Sequence, residues 1–469
     1  MKSKNKNSPP AVSPARAAAF DILLRVEGES SYSPELLHSR TYSSLSTADH
    51  ALTTELVMGV QRWRSLLDLR ISEISAQPLA KLDLEILTAL RLAFYQLGWL
   101  SRIPARAAIH ESVELVKRAR KRSAAPFVNA VLRRYASVLS VSAESAPEIR
   151  RDSLEALAAG SAHPSWLVER WAQAYGLEAA LAICRHDQSI PVTAIRLRDR
   201  DAEVRLREEG IDLVPGALLA SARLVRHGDI TRTSTFREGL CVIQDEASQL
   251  VAALVGKGTR ILDCCAAPGG KTRALSDYNP RAGITAVELH PQRARLLRKL
   301  LSPPQSAEET EASDEIRTHT INVISADARQ LPFTVKFDRV LVDVPCSGTG
   351  TLSRNPEIKW RLQPADLSDL QGRQQAILRA ALAQVAAGGR VVYSTCSLER
   401  EENEDVVESV LQQDSSFRRV DCEVELQGLR QQEKLTWDGT PSLVHGPYLR
   451  TLPGVHPCDG FFAAILEKL

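Results

Sequence analysis

The sequence predicts a mostly parallel α/β sheet domain with helices on both faces, preceded by an all-helical domain and a small α+β segment. Three patterns predict it. From about Gly239 onward, strand-length apolar runs alternate with helix-length ones, as in repeated strand–helix units. From about Ser13 to Leu139, apolar residues recur at helical spacing and strand signals are nearly absent. Between the two, helical and alternating stretches mix. The expected boundaries are a disordered tail over 1–12, a helical domain over 13–139, a linker over 140–161, a mixed segment over 162–238 and the sheet domain over 239–469.

With 469 residues the chain can bury two or three separate cores. Its 44% hydrophobic and 25% charged content is that of an ordinary globular protein. A formal net charge of +2 excludes a polybasic chain, so nucleic-acid affinity must come from local patches. No apolar run reaches the length of a bilayer span, and the polar start Met1–Pro10 lacks the apolar core of a secretory signal. The eight cysteines are Cys184, Cys241, Cys264, Cys265, Cys346, Cys396, Cys422 and Cys458. They form no Cys-x-x-Cys pair, which argues against zinc and against a disulfide framework. The expected setting is a reducing cytoplasm, with no metal.

In the helical domain, the stretches Ala17 to Val26, Thr53 to Val60 and Leu84 to Ala93 carry apolar residues at helical spacing. The linker is rich in Ser, Ala and Glu and reads as coil or a weak helix. Trp166 to Trp171 opens a helix, Val192 to Arg198 alternates like a strand, and Ala202 to Glu209 reads as another helix before further short strands. In the sheet domain, strands are expected at Thr259–Cys264, Ile284–Glu288, Asn322–Asp327, Phe337–Asp343 and Arg390–Ser394. Helices are expected from Lys271, through Arg293 to Leu301, and from Gln371 to Val385. Ser302 to Arg317, with Pro and acidic residues, reads as a solvated surface insertion.

Ligands of such sheets bind beyond the carboxyl ends of the strands, where the chemistry-bearing residues collect. The loop after the first strand, Cys265-Ala266-Ala267-Pro268-Gly269-Gly270-Lys271, is built from small residues that let backbone N–H groups approach a ligand at a helix start. Lys271-Thr272 suggests a P-loop, but Cys265 stands where that motif needs its first glycine. Glu288 ends the second strand, where a carboxylate can accept from a ribose diol. Asp327 ends the third and Asp343 the fourth. One such residue alone is usually a cap or turn carboxylate, but three in register at strand ends indicate a nucleotide-like ligand.

Most cysteines beside apolar strands are small buried hydrophobes, a reading that fits Cys184, Cys241, Cys264 and Cys422. Cys346 and Cys396 differ, because each leaves a strand into a polar loop at the ligand edge. Two such thiols beside a nucleotide-like cofactor suit methylation of cytosine carbon 5. Thiolate addition at carbon 6 makes carbon 5 enamine-like and able to take a methyl from a sulfonium donor.

Gln244-Asp245-Glu246-Ala247-Ser248, Cys265 to Lys271, Asp343 to Gly350, Ser394 to Ser397, Glu401-Glu402-Asn403-Glu404 and the ending Arg450 to Phe462 resemble the RNA 5-methylcytosine methyltransferases. With a helical N-terminal domain resembling the NusB fold, the combination resembles the bacterial RsmB (Sun/Fmu) family across nearly the whole chain. The resemblance implies an all-α NusB-like RNA-binding domain, a small α+β RNA-binding segment and a Rossmann-like S-adenosylmethionine-dependent methyltransferase domain. It implies transfer of methyl to carbon 5 of a cytosine of 16S ribosomal RNA, or of a small-subunit precursor, by a monomer. Cys396 would be the nucleophile and Cys346 would assist product release. In DNA cytosine methyltransferases the Pro-Cys cysteine attacks instead, so position alone does not settle the roles. Cys265, Ala266, Ala267, Pro268, Gly269, Gly270, Lys271, Glu288, Asp327 and Asp343 would hold S-adenosylmethionine, and Asp343 could also meet the cytosine edge. Lys359-Trp360 stands where an RNA contact or a packed surface is expected. The strand Ile195 to Arg198 lacks the asparagine expected after its first arginine, which weakens an RNA role there.

Lys117, Arg118, Arg120, Lys121 and Arg122 crowd five cations into six residues, a local patch suited to phosphates. A helix end also favours cations. The competing functions are methylation of another RNA (transfer RNA or 23S), methylation of DNA or a small molecule, and a non-catalytic NusB-like RNA-binding factor.

Overall fold

The computed structural model describes residues 12–29, 32–141, 153–302 and 321–469. The expected tail up to residue 11, residues 142–152 of the linker, and residues 303–317 of the acidic insertion lie outside the described residues. The chain forms two compact units, Met1–Ser189 with Leu352–Arg361, and Ile190–Thr351 with Leu362–Leu469.

The first unit is helical: α1 (Pro14–Gly28), α2 (Ser33–Leu37), α3 (Thr47–Ser75), α4 (Leu84–Trp99), α5 (Ala105–Arg118), α6 (Ala125–Val141), α7 (Leu154–Gly160), α8 (Ser165–Tyr175) and α9 (Leu177–Asp187). The start of α3 is set by Ser46, whose hydroxyl accepts the Asp49 N–H at 3.1 Å, and its end by Ala76 in the left-handed region. The apolar faces of α1, α3 and α4 meet in one core holding Phe20, Leu23, Leu56, Leu67, Leu90 and Phe94. Phe94 stacks on Tyr135 of α6 at 3.9 Å. Arg91, buried in α4, is neutralised by Asp68 at 2.6 Å and by Glu27 at 2.5 Å. So the one buried guanidinium in this helix has charged partners on α3 and α1, as burial requires.

The second unit opens with β1 (Thr193–Leu197), α10 (Arg200–Glu208), β2 (Asp212–Pro215), β3 (Ala222–His227), α11 (Ser234–Arg237) and β4 (Cys241–Ile243). These strands form an antiparallel sheet in the order β2-β3-β1-β4. The division between units falls between Ser189 and Ile190, inside the 162–238 stretch. Then follow α12 (Glu246–Leu254), β5 (Arg260–Asp263), α13 (Gly270–Tyr278), β6 (Gly283–Glu288), α14 (Pro291–Leu301), β7 (Ile321–Ser325) and β8 (Phe337–Asp343). After β8 the segment 352–361, with α15 (Ile358–Arg361), counts with the first unit. The chain continues as α16 (Asp366–Leu382), β9 (Val385–Thr395), α17 (Glu404–Leu411), β10 (Phe417–Val420), α18 (Cys422–Gln431), β11 (Val444–His445), β12 (Tyr448–Thr451) and β13 (Phe461–Lys468).

The nine-stranded sheet runs β11-β12-β13-β9-β8-β5-β6-β7, with β10 on β13. β9, β8, β5, β6 and β7 are parallel, and β13 returns antiparallel on β9. Both faces are covered, which is why strands such as Val340-Leu341-Val342 read as continuous apolar runs. Strand order reverses between β5 and β8, the position where open α/β sheets bind ligands. The expected fold class is the observed one, a Rossmann-like sheet domain preceded by a helical region. The antiparallel edge strands β10–β13 are an addition to the elements expected from the sequence. Among the described residues no helix is long and apolar enough to cross a membrane.

Candidate active site at the carboxyl ends of the parallel strands

The turn after β5 is held by glycine. Gly269 sits at φ +108°, and a Cβ there would come within 2.7 Å of Leu297 on α14. Only glycine meets both conditions without strain. Gly270 then begins α13, so Lys271 and Thr272 stand in its first turn. Asp263, at the end of β5, accepts the Thr272 hydroxyl at 2.7 Å. Burial pushes the Asp263 carboxyl up to about 6, with the Thr272 bond pulling the other way.

Lys271 points from the helix to the end of β8, where its Nζ lies 2.7 Å from Asp343 Oδ2. Burial works against the ammonium, but the Asp343 carboxylate outweighs it and holds the Lys271 pKa above its usual value. Asp343 Oδ1 accepts the Ser394 hydroxyl from β9 at 2.7 Å. The Lys271 ammonium also lies 5.0 Å from the Phe461 ring centroid, at the start of β13. Four elements thus fix one charged pair.

Cys346 and Cys396 meet beside it, with their sulfurs 3.3 Å apart. Both are only partly buried, whereas Cys184, Cys241, Cys264, Cys422 and Cys458 are buried. The Cys346 pKa is raised well above the usual thiol value, first by its hydrogen bond to Cys396 and then by burial. Cys346 therefore keeps its proton. Backbone contact closes the loops: Gly350 N–H donates to Cys396 O at 2.9 Å, and Gly460 N–H to Gly350 O at 2.8 Å.

The remaining candidates divide. Glu288 ends β6, nearly buried, with one carboxylate oxygen accepting the His290 N–H at 2.8 Å. Cys265 lies in the turn, its thiol pKa raised by burial. Asp327 lies two residues beyond β7 and closes a local ring on Arg329, with contacts of 2.6 to 3.0 Å. The turn residues Cys265 to Gly270, Lys271, Glu288 and Asp343 line the switch point. Gln244 Oε1, beside Gly270, is buried without a partner. A small-residue turn, a strand-end carboxylate and an orphaned acceptor together fit a nucleoside-bearing cofactor.

Several motif residues prove to be latches. Asp245 caps α12 and accepts the Asp459 N–H at 3.2 Å. Buried Glu246 accepts the N–H groups of Ala217, Leu218 and Leu219 at 3.1, 2.7 and 2.9 Å. Glu404 pairs with Arg450, which lies over the Phe462 ring. Arg196 is buried against Asp277 at 2.7 Å, so its strand uses that cation for packing.

Lys359 needs correction as an RNA contact. It is 1% exposed, and its ammonium donates to Arg62 O at 2.8 Å and Ala162 O at 2.9 Å. Burial lowers its pKa to about 7. The packed alternative prevails because Trp360 and Arg361 beside it are also spent on the helical unit's carbonyls, at Gln61 and Val26. The basic patch at the end of α5 is partly paired: Lys117 with Glu114 at 2.6 Å, Arg118 with Asp21 at 2.7 Å, and Lys121 with Asp83 at 2.8 Å. Such surface pairs are weak and screened by solvent, so phosphates can displace them. Arg120, at φ +63°, ends the patch together with Arg122.

Residues 252–467 match the family described as 16S rRNA methyltransferase RsmB/F, and residues 13–137 match the NusB family. The probable ribosomal RNA small subunit methyltransferase B of Bacillus subtilis (strain 168) is 35% identical, covering 97% of this chain and 98% of that one. Ribosomal RNA small subunit methyltransferase B of Pseudomonas syringae pv. tomato is 31% identical, covering 98% and 97%. Among solved structures, that of PH0851 is similar with a TM-score of 0.74 at 22% identity, covering 97% of this chain and 99% of that chain. A methyltransferase homolog protein from Pyrococcus horikoshii is similar at a TM-score of 0.51 and 25% identity, covering 66% and 96%.

Proposed function

This chain belongs to the 16S rRNA methyltransferase RsmB/F family, and from that premise we propose that it methylates carbon 5 of a cytosine in small-subunit ribosomal RNA through a covalent thiol adduct. The observation that carries the reading is the thiol pair, 3.3 Å apart, set beside the Lys271–Asp343 pair at the strand switch point. S-adenosylmethionine would be held by Cys265 to Lys271, Glu288, Asp327 and Asp343, and would supply an electrophilic methyl on a sulfonium.

Cys396 is the nucleophile in this reading. Cys346, which keeps its proton, stands 3.3 Å from that sulfur. The Cys396 sulfur adds to carbon 6 of the cytosine, and the 5,6 π electrons move so that carbon 5 becomes nucleophilic. Lys271, kept charged by Asp343, opposes the negative charge that develops on the ring, while an Asp343 oxygen can accept from the exocyclic amine. After methyl transfer, water takes the carbon 5 proton, the 5,6 double bond re-forms, and the Cys396–carbon 6 bond breaks with its electron pair on sulfur. Cys346 donates its proton to the departing Cys396 sulfur. The target base must be unpaired or flipped out, because carbon 5 and carbon 6 are screened in a stack. The cations Lys117, Arg118, Arg120, Lys121 and Arg122 of the NusB-like unit serve the phosphates. The protein works as a monomer in the cytoplasm, on free 16S RNA or a precursor particle.

The test is methyl transfer from radiolabelled S-adenosylmethionine to unmodified small-subunit RNA. Wild type is expected to label cytosine, Cys396→Ala to be inactive, and Cys346→Ala to accumulate a covalent protein–RNA adduct. An adduct in Cys396→Ala with inactive Cys346→Ala would swap the two roles. No labelling by wild type would sink the substrate reading.

A further inference from the structure

Glu402 is fully buried in the short turn Arg400–Glu402, just after the Thr-Cys-Ser loop. Its Oε1 accepts the Ser347 backbone N–H at 2.8 Å and Gln374 Nε2 at 2.9 Å. Its Oε2 accepts the hydroxyls of Ser347 and Ser397, each at 2.5 Å. Ser347 directly follows Cys346, and Ser397 directly follows Cys396. Gln374 also donates to the carbonyl of Pro345, on the other side of Cys346, at 3.0 Å. Asn403 completes the pattern, accepting from Thr395 at 2.5 Å and donating to Ser397 O at 2.9 Å. The backbone of both cysteine loops is thus referred to two adjacent residues.

Every partner of the Glu402 carboxylate is a donor. Only a carboxylate can accept from all of them; glutamine would place an NH2 group at the two serine hydroxyls and make both of them turn to accept. No ion pair to Glu402 occurs among the described residues, so these donors offset its desolvation. A group this costly, placed on the residues that adjoin both thiols, fixes their separation.

We propose that Glu402 is a positioning residue for the thiol pair. It locks the Pro-Cys and Thr-Cys-Ser loops at the spacing that lets Cys346 pass its proton to Cys396 at product release. The proposal rests on the two-thiol reading of the site given above.

The experiment uses the full chain and three variants, Glu402→Gln, Ser397→Ala and, as a blank, Cys346→Ala. Bridging of the two thiols by dibromobimane, which becomes fluorescent when it links two close thiols, reports spacing without any methyl transfer. We expect bridging in Glu402→Gln to slow by at least about tenfold, since misplacement of about 1 Å has large kinetic effects. In the RNA assay the same variant should lose kcat, keep KM for RNA within about twofold, and accumulate the covalent adduct. Bridging and adduct levels equal to wild type would overturn the proposal. If Glu402→Gln does not fold, Ser397→Ala, which removes one hydroxyl, decides: slowed bridging supports the proposal and unchanged bridging overturns it. If wild type methylates no RNA yet bridging depends on Glu402, the RNA reading fails and the positioning role stands. If wild type methylates and bridging ignores Glu402, this proposal alone fails.

Discussion

Asp263 shows how one residue can work against the fold that holds it. Its carboxyl is buried and its pKa is pushed up to about 6 from 3.8. A folded-state pKa above the unfolded value means that the protonated form is favoured by folding. The associated stability is fully present below about pH 4 and is lost as pH rises through about 6. Two pKa units correspond to about 2–3 kcal/mol of cost at neutral pH. Asp263→Asn keeps an acceptor for Thr272 and removes the charge. It is expected to raise stability at pH 7 by about 2 kcal/mol and to flatten the pH profile between 4 and 6, measured by urea denaturation. Unchanged stability at pH 7 would contradict the account. Cys346, Cys396, Lys271 and Asp343 were legible in sequence because each stands in a short local motif at a strand end. Lys359 was not, because its partners Arg62 and Ala162 lie far away in the chain, and only tertiary packing decides between solvent and a carbonyl cage. Glu402 was visible as a motif residue, but its purpose needs Ser347, 55 residues away.

The parallel core strands were readable from continuous apolar runs, since burial on both faces removes polar alternation. Their ends were less so: the third strand stops at Ser325, leaving Asp327 outside it on a local turn with Arg329. The antiparallel edge escaped because β10 and β11 are short and of mixed polarity, and the apolar run of β13, Phe461–Lys468, does not itself tell strand direction. At that edge the crossing of Gly350 and Gly460 is a steric necessity. A Cβ on Gly350 would lie 2.2 Å from the Gly460 carbonyl oxygen, which is backbone and cannot rotate away. Gly350→Ala is therefore expected to destabilise by about 1–3 kcal/mol, as overpacking does. It should also slow methyl transfer, because Gly350 N–H holds the Cys396 carbonyl. Thermal melting alongside the RNA assay checks both, and a variant with wild-type melting and rate would refute the steric argument.

At the scale of the whole molecule, the expected order of helical, mixed and sheet regions was legible from composition and periodicity, but the interleaving was not. Residues 352–361 follow the Pro-Cys loop in sequence yet pack with the helical unit, where Glu357, Lys359, Trp360 and Arg361 bond to Ser33, Arg62, Gln61 and Val26. Each such bond contributes about 1 kcal/mol. A fragment ending at Ser189 is expected to melt earlier than the corresponding transition of the full chain, and a synthetic 352–361 peptide should raise its melting point. A fragment indifferent to the peptide would count against the interleaving. The consequence reaches beyond stability to inheritance. A recombination that exchanges everything before residue 190 for a foreign helical module leaves behind ten residues written for the old one. These two units therefore have to be exchanged, or to drift, together.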